Sequence, residues 1–350
     1  MNFHQNHVKR NRIPKFRELG YFLFMVCTLS FAKTDKIESF ELKNEDLKVR
    51  LTNYGATIQE LWVKDKNGKP INIVLGFNNP RDYLESEMYL GSCVGRYAGR
   101  LSSTLILEGS EYLLTERSKG IHIHGGKEGF NRKIWEVLNI DKASITFSYL
   151  SKDGEEGYPG NLYVKAKYTL KGNGLQIQYS ATTDAITIVN LTNHSHFNLS
   201  PGKSLENQYV QVLADSILEV SDHGLPTGSF LSLDKTKKDF RKSKAIGKIK
   251  FDETFVLQTG TPQITYYSPY SGIVMDIQTN QPAVVIYTPS KVKTICFETQ
   301  NFPNAPNFEH FPSALLKSGE EYRNNTYLEF WAKENNTKKI NINEKSNHIR

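Results

Sequence analysis

The chain has 350 residues, of which 38% are hydrophobic and 23% are charged, and its formal net charge is +7. This composition excludes a wholly disordered chain, which would be less apolar, and a polytopic membrane protein, which would be more so. The positive charge lies at the two ends, because residues 1–32 carry a net +4 and residues 333–350 a net +3. The body is therefore nearly neutral and lacks the clustered Lys and Arg that nucleic-acid binding requires.

The first 32 residues have the order of a secretory signal peptide. Basic residues precede an apolar run at 19–31, and the small residues Ser30 and Ala32 lie at its end, just before Lys33. The run is shorter than the ~20 residues that span a bilayer, so a stable membrane anchor is the weaker interpretation. We expect cleavage after Ala32 and a periplasmic or secreted protein, whereas a start at Met25 would give a cytoplasmic one.

Beyond this segment the sequence predicts strand after strand, short turns and few short helices. The clearest hairpin joins residues 162–170 to 175–179 across Gly172-Asn173-Gly174, with alternate residues on one face. Other strands are expected near residues 47–52, 71–77, 104–107, 145–150, 209–213, 273–277 and 283–287. The pattern predicts an all-β protein, a large antiparallel β-sandwich.

No break in composition and no internal repeat divides the body of the chain. We therefore expect one domain over residues 33–332, followed by a disordered tail at 333–350 that is rich in Asn and Lys. Apart from Cys27, the cysteines are Cys93 and Cys296, which is too few for a disulfide scaffold. Two buried free thiols are expected, with a bridge between them as the alternative.

Two histidine-bearing segments are candidates for chemistry. Residues 192–198 contain His194 and His196, and their spacing of two is compatible with a structural role, acid/base work or metal binding. In the second segment, alternation places His122 and His124 on one face just before Gly125-Gly126. Glycines allow a ligand to approach the backbone closely, but a turn with a capping histidine explains the pattern equally well.

Charged residues in apolar or glycine-bearing segments are further candidates. Glu298 lies near the end of an apolar strand, and a buried ionised Glu is unfavourable unless it is paired or hydrogen-bonded. Glu298 therefore either faces solvent or is a buried functional residue, and the same alternatives apply to Asp252. Arg96 and Arg100 flank Gly99, a setting in which arginines are usually surface or ion-pair residues. No Walker loop, dinucleotide fingerprint or paired Cys-x-x-Cys zinc site occurs, so no cofactor is expected.

In their order and spacing, these segments together resemble the galactose mutarotase family of aldose 1-epimerases. The resemblance covers most of residues 40–331, whereas any one motif alone would be weak. The matching motifs include Asn53-Tyr54-Gly55-Ala56, Gly95-Arg96-Tyr97-Ala98-Gly99-Arg100, His124-Gly125-Gly126, Asp153-Gly154-Glu155-Glu156-Gly157-Tyr158-Pro159-Gly160, residues 190–199, Phe251-Asp252 and Glu298-Thr299-Gln300-Asn301.

The resemblance implies a galactose mutarotase-like supersandwich with a cleft for a monosaccharide, no metal, and a monomer or weak dimer. It places Glu298 on the general base and His194 on the general acid. It also places His124 on a second histidine in contact with the sugar, and Arg100 and Asp252 on groups that hydrogen-bond sugar hydroxyls. His122 and Arg96 remain structural in this interpretation.

Three positions depart from the family pattern. Gly99 replaces an Asn that often precedes the matched arginine, Val285 replaces a glutamine sometimes found in the cleft, and His196 replaces an aromatic residue. The acid/base pair is intact, so these departures concern which sugar is preferred.

The implied reaction is the interconversion of α and β anomers of free aldoses such as glucose or galactose. A base removes the proton of the C1 hydroxyl while an acid protonates the ring oxygen, and a carboxylate and an imidazole suit these roles because burial tunes their pKa values. The alternatives are a hexose 6-phosphate mutarotase, which needs a basic cluster at the cleft, and a non-catalytic carbohydrate-binding domain on the same fold. A polysaccharide-processing enzyme is a further alternative.

Overall fold

The computed structural model describes Met1 and residues 36–333. The expected signal peptide at 1–32, and the expected tail apart from Lys333, lie outside the described residues. Residues 36–333 belong to one compact unit. Within the described part of the chain, no helix is long and apolar enough to cross a membrane.

Short strands dominate the described residues, and helix is limited to brief 3₁₀ turns. In the first half the strands are β1 (Ser39–Lys43), β2 (Leu47–Thr52), β3 (Thr57–Lys64), β4 (Pro70–Asn72), β5 (Cys93–Val94), β6 (Arg100–Ser102), β7 (Thr104–Leu107), β8 (Ser110–Leu113), β9 (Ile121–Ile123), β10 (Glu136–Ile140), β11 (Ser144–Ser151), β12 (Leu162–Lys171) and β13 (Gly174–Thr183).

In the second half they are β14 (Thr187–Ile188), β15 (Thr192–Asn193), β16 (Tyr209–Val212), β17 (Ala214–Val220), β18 (Pro226–Ser232), β19 (Lys244–Ala245), β20 (Asp252–Leu257), β21 (Ile264–Tyr267), β22 (Ile273–Thr279), β23 (Ala283–Tyr287), β24 (Cys296–Gln300), β25 (Leu315–Leu316) and β26 (Tyr322–Ala332). The 3₁₀ helices are Pro80–Glu85, Phe130–Arg132, Glu155–Gly157 and Ala305–Asn307.

Three antiparallel sheets form the body. A nine-stranded sheet has the order β10-β11-β12-β13-β26-β22-β21-β16-β19, a four-stranded sheet the order β1-β2-β3-β4, and a five-stranded sheet the order β18-β17-β20-β23-β24. The predicted hairpin is the β12–β13 pair of the nine-stranded sheet, in which Leu170 lies opposite Leu175. One core cluster takes buried side chains from all three sheets. The prediction of an all-β antiparallel sandwich with few short helices is confirmed.

The alternation of β12 shows why this sequence forms a half-buried strand. Leu162, Val164, Ala166 and Tyr168 are fully buried, while the intervening lysines face solvent. Each large apolar side chain that leaves water stabilises the fold by roughly 1.5–3 kcal/mol. The period-two pattern therefore fixes which face of the sheet enters the core.

One expectation about local structure is wrong in part, and another is confirmed. The strand predicted at 71–77 is wrong beyond Asn72, since β4 ends there and the following residues bond irregularly to the segment that carries His196, through Leu75 N–H and the His196 carbonyl at 2.9 Å. Cys93 and Cys296 are buried free thiols, as expected.

Candidate active site

A cleft of about 290 Å³ opens over the β20, β23 and β24 end of the five-stranded sheet. This volume lies near the lower end of the range for small-molecule sites, roughly 300–1,000 Å³. All five predicted site residues line the cleft, namely Arg100, His124, His194, Asp252 and Glu298. The fold thus brings together residues that are separated by as many as 198 positions in the sequence.

The buried pair Glu298 and His194 lies at the bottom of the cleft. Glu298 is in the middle of β24, rather than near its end as predicted, and is 2% exposed; His194 is 4% exposed. His194 Nε2 lies 3.3 Å from Glu298 Oε1. Two contacts hold the histidine segment along the free edge of β24: Thr192 Oγ1 donates to the Thr299 carbonyl at 3.1 Å, and Phe197 pairs with Ile295.

Burial opposes a charge on either member of this pair. It raises the pKa of Glu298 to about 8, with a smaller contribution from Asp252. It lowers the pKa of His194 well below its usual value, assisted by the neighbouring His196 and His124. At neutral pH the pair is therefore a protonated Glu298 beside a neutral His194, and the carboxyl proton is the one that the two groups can share.

Neither group satisfies all its polar atoms inside the described protein. Glu298 Oε2 and His194 Nδ1 are buried without a hydrogen-bond partner there. An unsatisfied buried polar group costs about 1–3 kcal/mol, so a fold retains few of them without a reason. Buried titratable groups with shifted pKa values in a cleft are typical of an active site.

His124 enters the cleft through a sharp turn rather than along a strand. The predicted alternation of His122 and His124 on one face is wrong, because β9 ends at Ile123 and His124 has a φ of 52°. The next residue, Gly125, has a φ of 84°, and a Cβ there would lie 1.7 Å from the Gly95 carbonyl oxygen. Only glycine fits this position, and it turns His124 towards the cleft.

Because of this turn, His122 and His124 have different surroundings. His122 is fully buried, with Nδ1 2.7 Å from the Thr115 carbonyl and Nε2 2.6 Å from the Tyr158 hydroxyl, in keeping with the structural role expected of it. His124 instead accepts the Gly99 N–H at Nδ1, at 3.2 Å. Burial and the nearby arginines lower the pKa of His124 to about 3. The ring is therefore neutral and carries its proton on Nε2, as a hydrogen-bond donor.

Arg100 and Asp252 form an ion pair at the mouth of the cleft. Arg100 Nη2 lies 2.9 Å from Asp252 Oδ2, and the side chains are 36% and 50% exposed. Such an exposed pair is worth only about 0–1 kcal/mol, so it contributes little to the stability of the fold. It does present both donors and acceptors towards the cleft, which is what sugar hydroxyls need.

Arg96, four residues earlier, is buried and has no ion-pair partner among the described residues, which corrects the expectation for arginines in this segment. It is 1% exposed. Its guanidinium donates to Ser151 Oγ at 2.6 Å, to Thr187 Oγ1 at 3.2 Å and to backbone carbonyls that include that of Pro159 at 2.9 Å. Arg96 therefore ties several loops together and has the structural role expected of it.

His196 is hydrogen-bonded at both ring nitrogens. Nε2 lies 3.1 Å from the Met88 carbonyl and Nδ1 lies 3.1 Å from Thr294 Oγ1. Since a carbonyl only accepts, Nε2 carries the proton. Burial lowers the pKa of His196 to about 4. The neutral ring stacks on His194 with centroids 5.1 Å apart and fixes its orientation.

Two groups of side chains have potential metal-ligand atoms within 4.8 Å of one another: His194, His196 and Cys296, and His124, His194 and Glu298. In the first group both ring nitrogens of His196 already have partners. In the second, His124 Nδ1 accepts a backbone N–H. These hydrogen bonds favour the acid/base role for His194 over the metal-binding one that its spacing from His196 left open.

Sequence reasoning missed two aromatic residues in the cleft. The Tyr89 ring lies 4.9 Å from that of His124 and 5.7 Å from that of His194, and it lines the cleft. Nothing in its local sequence indicated this position. Tyr287 also lines the cleft, on the same face of β23 as Val285. The alternation along that predicted strand was a signal that could have found it.

Comparison with known proteins identifies the family. The family model described as aldose 1-epimerase matches residues 38–329. This chain belongs to the aldose 1-epimerase family. It is 38% identical to galactose mutarotase from Sus scrofa over an alignment of 323 positions, which covers 84% of this chain and 94% of that protein. It is 31% identical to aldose 1-epimerase from Escherichia coli K12, over 83% of this chain and 93% of that one.

Comparison with solved structures supports the same family. The crystal structure of an aldose epimerase homologue from C. elegans matches with a TM-score of 0.82 and 30% identity, over 85% of this chain and 99% of that one. A galactose 1-epimerase from Lactobacillus acidophilus matches with a TM-score of 0.73 and 27% identity, over 85% and 99%. The predicted family, fold class and enzyme class, an isomerase of the aldose 1-epimerase type, are confirmed.

Proposed function

We propose that this member of the aldose 1-epimerase family interconverts the α and β anomers of a free aldose, with Glu298 as base and His194 as acid. The observation that carries the proposal is the 3.3 Å contact between these two buried side chains at the bottom of a cleft. The two groups lie on either side of one strand edge, so a single C1–O5 bond can reach both. Positioned acid/base groups of this kind are typically worth ~10²–10⁴ in rate.

Ring opening uses the pair in its charged form. The Glu298 carboxylate takes the proton of the C1 hydroxyl, the electrons of that O–H bond form the carbonyl, the C1–O5 bond breaks, and O5 takes a proton from the His194 imidazolium. The pair then consists of a neutral carboxyl group and a neutral imidazole. Burial favours this neutral state, since it raises the pKa of Glu298 and lowers that of His194. The neutral pair thus accompanies the open aldehyde, which can turn about C1–C2 before the ring closes.

Ring closure reverses the two transfers on the other face of the aldehyde. His194 takes the proton of the C5 hydroxyl, O5 bonds to C1, and Glu298 returns its proton to the carbonyl oxygen. The pair ends with the proton that it had at the start, so each turnover leaves the protein unchanged. No step consumes a second substrate.

Three residues would hold the sugar during this exchange. His124 donates from Nε2, Arg100 donates from its guanidinium, and Asp252 accepts through its carboxylate. Because His124 has a pKa near 3, it remains a donor without adding charge beside the catalytic pair.

The cleft favours a free aldose over a sugar phosphate. Among the described residues that line it, Arg100 is the one lysine or arginine, and it is paired with Asp252. A phosphate site usually has unpaired basic groups. A non-catalytic binding domain would need neither a buried carboxylate nor its imidazole partner, so the pair favours catalysis.

Polarimetry of freshly dissolved α-glucose, α-galactose and α-xylose tests this proposal. We expect the protein to accelerate at least one of these mutarotations over buffer. Glu298→Gln should lower kcat by at least ~10²-fold with the fold retained. Glu136→Gln, an exposed carboxylate on the edge strand β10, is the matched control and should be unaffected. Rates no faster than buffer for all three sugars would favour the binding-domain alternative.

We further propose that the protein is exported, on the strength of the order of basic, apolar and small residues in positions 1–32. Mass spectrometry of the protein recovered outside the cytoplasm should then give a chain that begins at Lys33. Recovery of an active cytoplasmic enzyme that still carries residues 1–32 would contradict export.

A further inference from the structure

Three neighbouring strands form the floor of the cleft, and their register sets its polarity. Glu298 of β24 lies opposite Val285 of β23, and Val285 lies opposite Thr254 of β20. All three residues line the cleft. Val285 is therefore the direct cross-strand neighbour of the proposed base, at the usual strand spacing of about 4.8 Å.

His194 lies on the other side of Glu298. β24 is the last strand of its sheet, and its free edge is covered by the segment that carries His194. From one side of the cleft to the other, the order is His194, Glu298, Val285 and then β20, which begins at Asp252. The proposed acid and the apolar Val285 are thus on opposite sides of the proposed base.

This order orients the sugar, given the proposed function on which the inference rests. O5 lies at His194, the C1 hydroxyl at Glu298, and more distant hydroxyls at Asp252. The ring must then extend from β24 across β23 towards β20. C2 is the carbon attached to C1 that points away from O5, so C2 and its substituent lie over β23, beside Val285.

Val285 offers only methyl groups at this position. The nearest polar side chains on the same face are Thr254, one strand away, and Tyr287, two residues along β23, at roughly 5 Å and 7 Å by strand geometry. A site that hydrogen-bonds a hydroxyl rejects the analogue that lacks it by ~10⁴-fold, because the protein's polar group is left unpaired. An apolar wall has no such group to leave unpaired.

We infer that the cleft does not recognise the C2 hydroxyl and that its substrates include 2-deoxyaldoses as well as their 2-hydroxy counterparts. Gly99, which also lines the cleft, likewise offers only its backbone, whose N–H is already donated to His124. Specificity then resides at the far hydroxyls, at Arg100 and Asp252.

The test compares D-glucose with 2-deoxy-D-glucose by polarimetry, after subtraction of the buffer rate for each sugar. We expect the two values of kcat/KM to agree within about tenfold for the wild-type protein. Val285→Gln introduces a hydrogen-bonding amide beside C2, and Val285→Met has the same length without the amide. The preference for glucose should rise at least ~10-fold in the Gln variant relative to the Met variant.

The possible outcomes test the inference about C2 and the proposed function separately. A wild-type preference for glucose above about tenfold would overturn the inference and leave the proposed function intact. Equal sugar ratios in the Gln and Met variants would also overturn it, because Val285 would then not lie beside C2. If neither sugar is accelerated by the wild-type protein, the proposed function fails and the inference with it. If neither variant folds, the wild-type ratio decides alone.

Discussion

The pH dependence of kcat/KM follows from the single proton that Glu298 and His194 share. Loss of that proton leaves an ionised Glu298 and a neutral His194, with no acid to protonate O5. Because burial raises the pKa of Glu298 to about 8, this loss begins slightly above neutral pH. Addition of a second proton blocks the base, but burial lowers the pKa of His194, so this happens only in acid solution. The profile should be bell-shaped, with its basic limb near pH 8.

The size of the basic limb follows from the same value. With a pKa of about 8, roughly 90% of the pairs hold their proton at pH 7 and roughly 3% at pH 9.5. The value of kcat/KM should therefore fall by ~30-fold between these two pH values. From pH 7 to pH 6 it should change by less than about twofold, because both proton equilibria lie outside that interval.

Initial polarimetric rates at subsaturating sugar, corrected for the hydroxide-catalysed background, give this profile. Circular dichroism at each pH controls for unfolding. The residual rate of Glu298→Gln should show no basic limb near pH 8, since the titrating carboxyl group is gone. A wild-type kcat/KM that rises from pH 7 to pH 9.5 would refute the reasoning, because the active form would then be the ionised carboxylate beside a neutral imidazole.

Two further predictions concern the cleft mouth and stability. Arg100→Ala and Asp252→Ala should each raise KM at least ~10-fold by leaving sugar hydroxyls unpaired; an unchanged KM for every sugar in initial-rate assays would contradict this. The pKa of Glu298 is higher in the folded protein, about 8, than in the unfolded protein, near 4.5. Protonation of Glu298 therefore stabilises the folded protein, and this contribution is complete below about pH 4.5 and is lost as the pH rises to about 8. Relative to the wild type, Glu298→Gln should therefore gain at least about 1 kcal/mol in unfolding free energy between pH 5 and pH 8.5, as measured by urea denaturation.

Much of the fold was predictable from the sequence, because it depends on local patterns. The β12–β13 hairpin has a period-two pattern on both sides of Gly172-Asn173-Gly174, and the structure pairs Leu170 with Leu175 across it. β23 coincides with the predicted residues 283–287. The strand predicted at 71–77 failed because its apolar residues bond to an irregular segment from another part of the chain, which no local pattern reveals.

The proposed site residues were selected by the family resemblance in the order of their motifs, since local chemistry left the role of each residue open. Their geometry could not be predicted in the same way. His124 reaches the cleft because the strand ends one residue earlier and the backbone turns left-handed, which breaks the alternation expected from His122. Tyr89 packs on His124 and His194 from a segment with no distinguishing pattern. The pKa of Glu298 depends on burial contributed by distant strands, so it too required the structure.

The central claim, that Glu298 and His194 act as one unit that shares a proton, is tested most directly by a double-mutant cycle. Glu298→Gln, His194→Asn and the double variant are compared by polarimetric kcat on the same aldose, with folding verified for each. Groups that work as a unit are non-additive, so the double variant should be no slower than the slower single variant within about threefold. A double variant whose loss equals the product of the two single losses, ~10⁴-fold or more, would show that the two residues act independently and would contradict the claim.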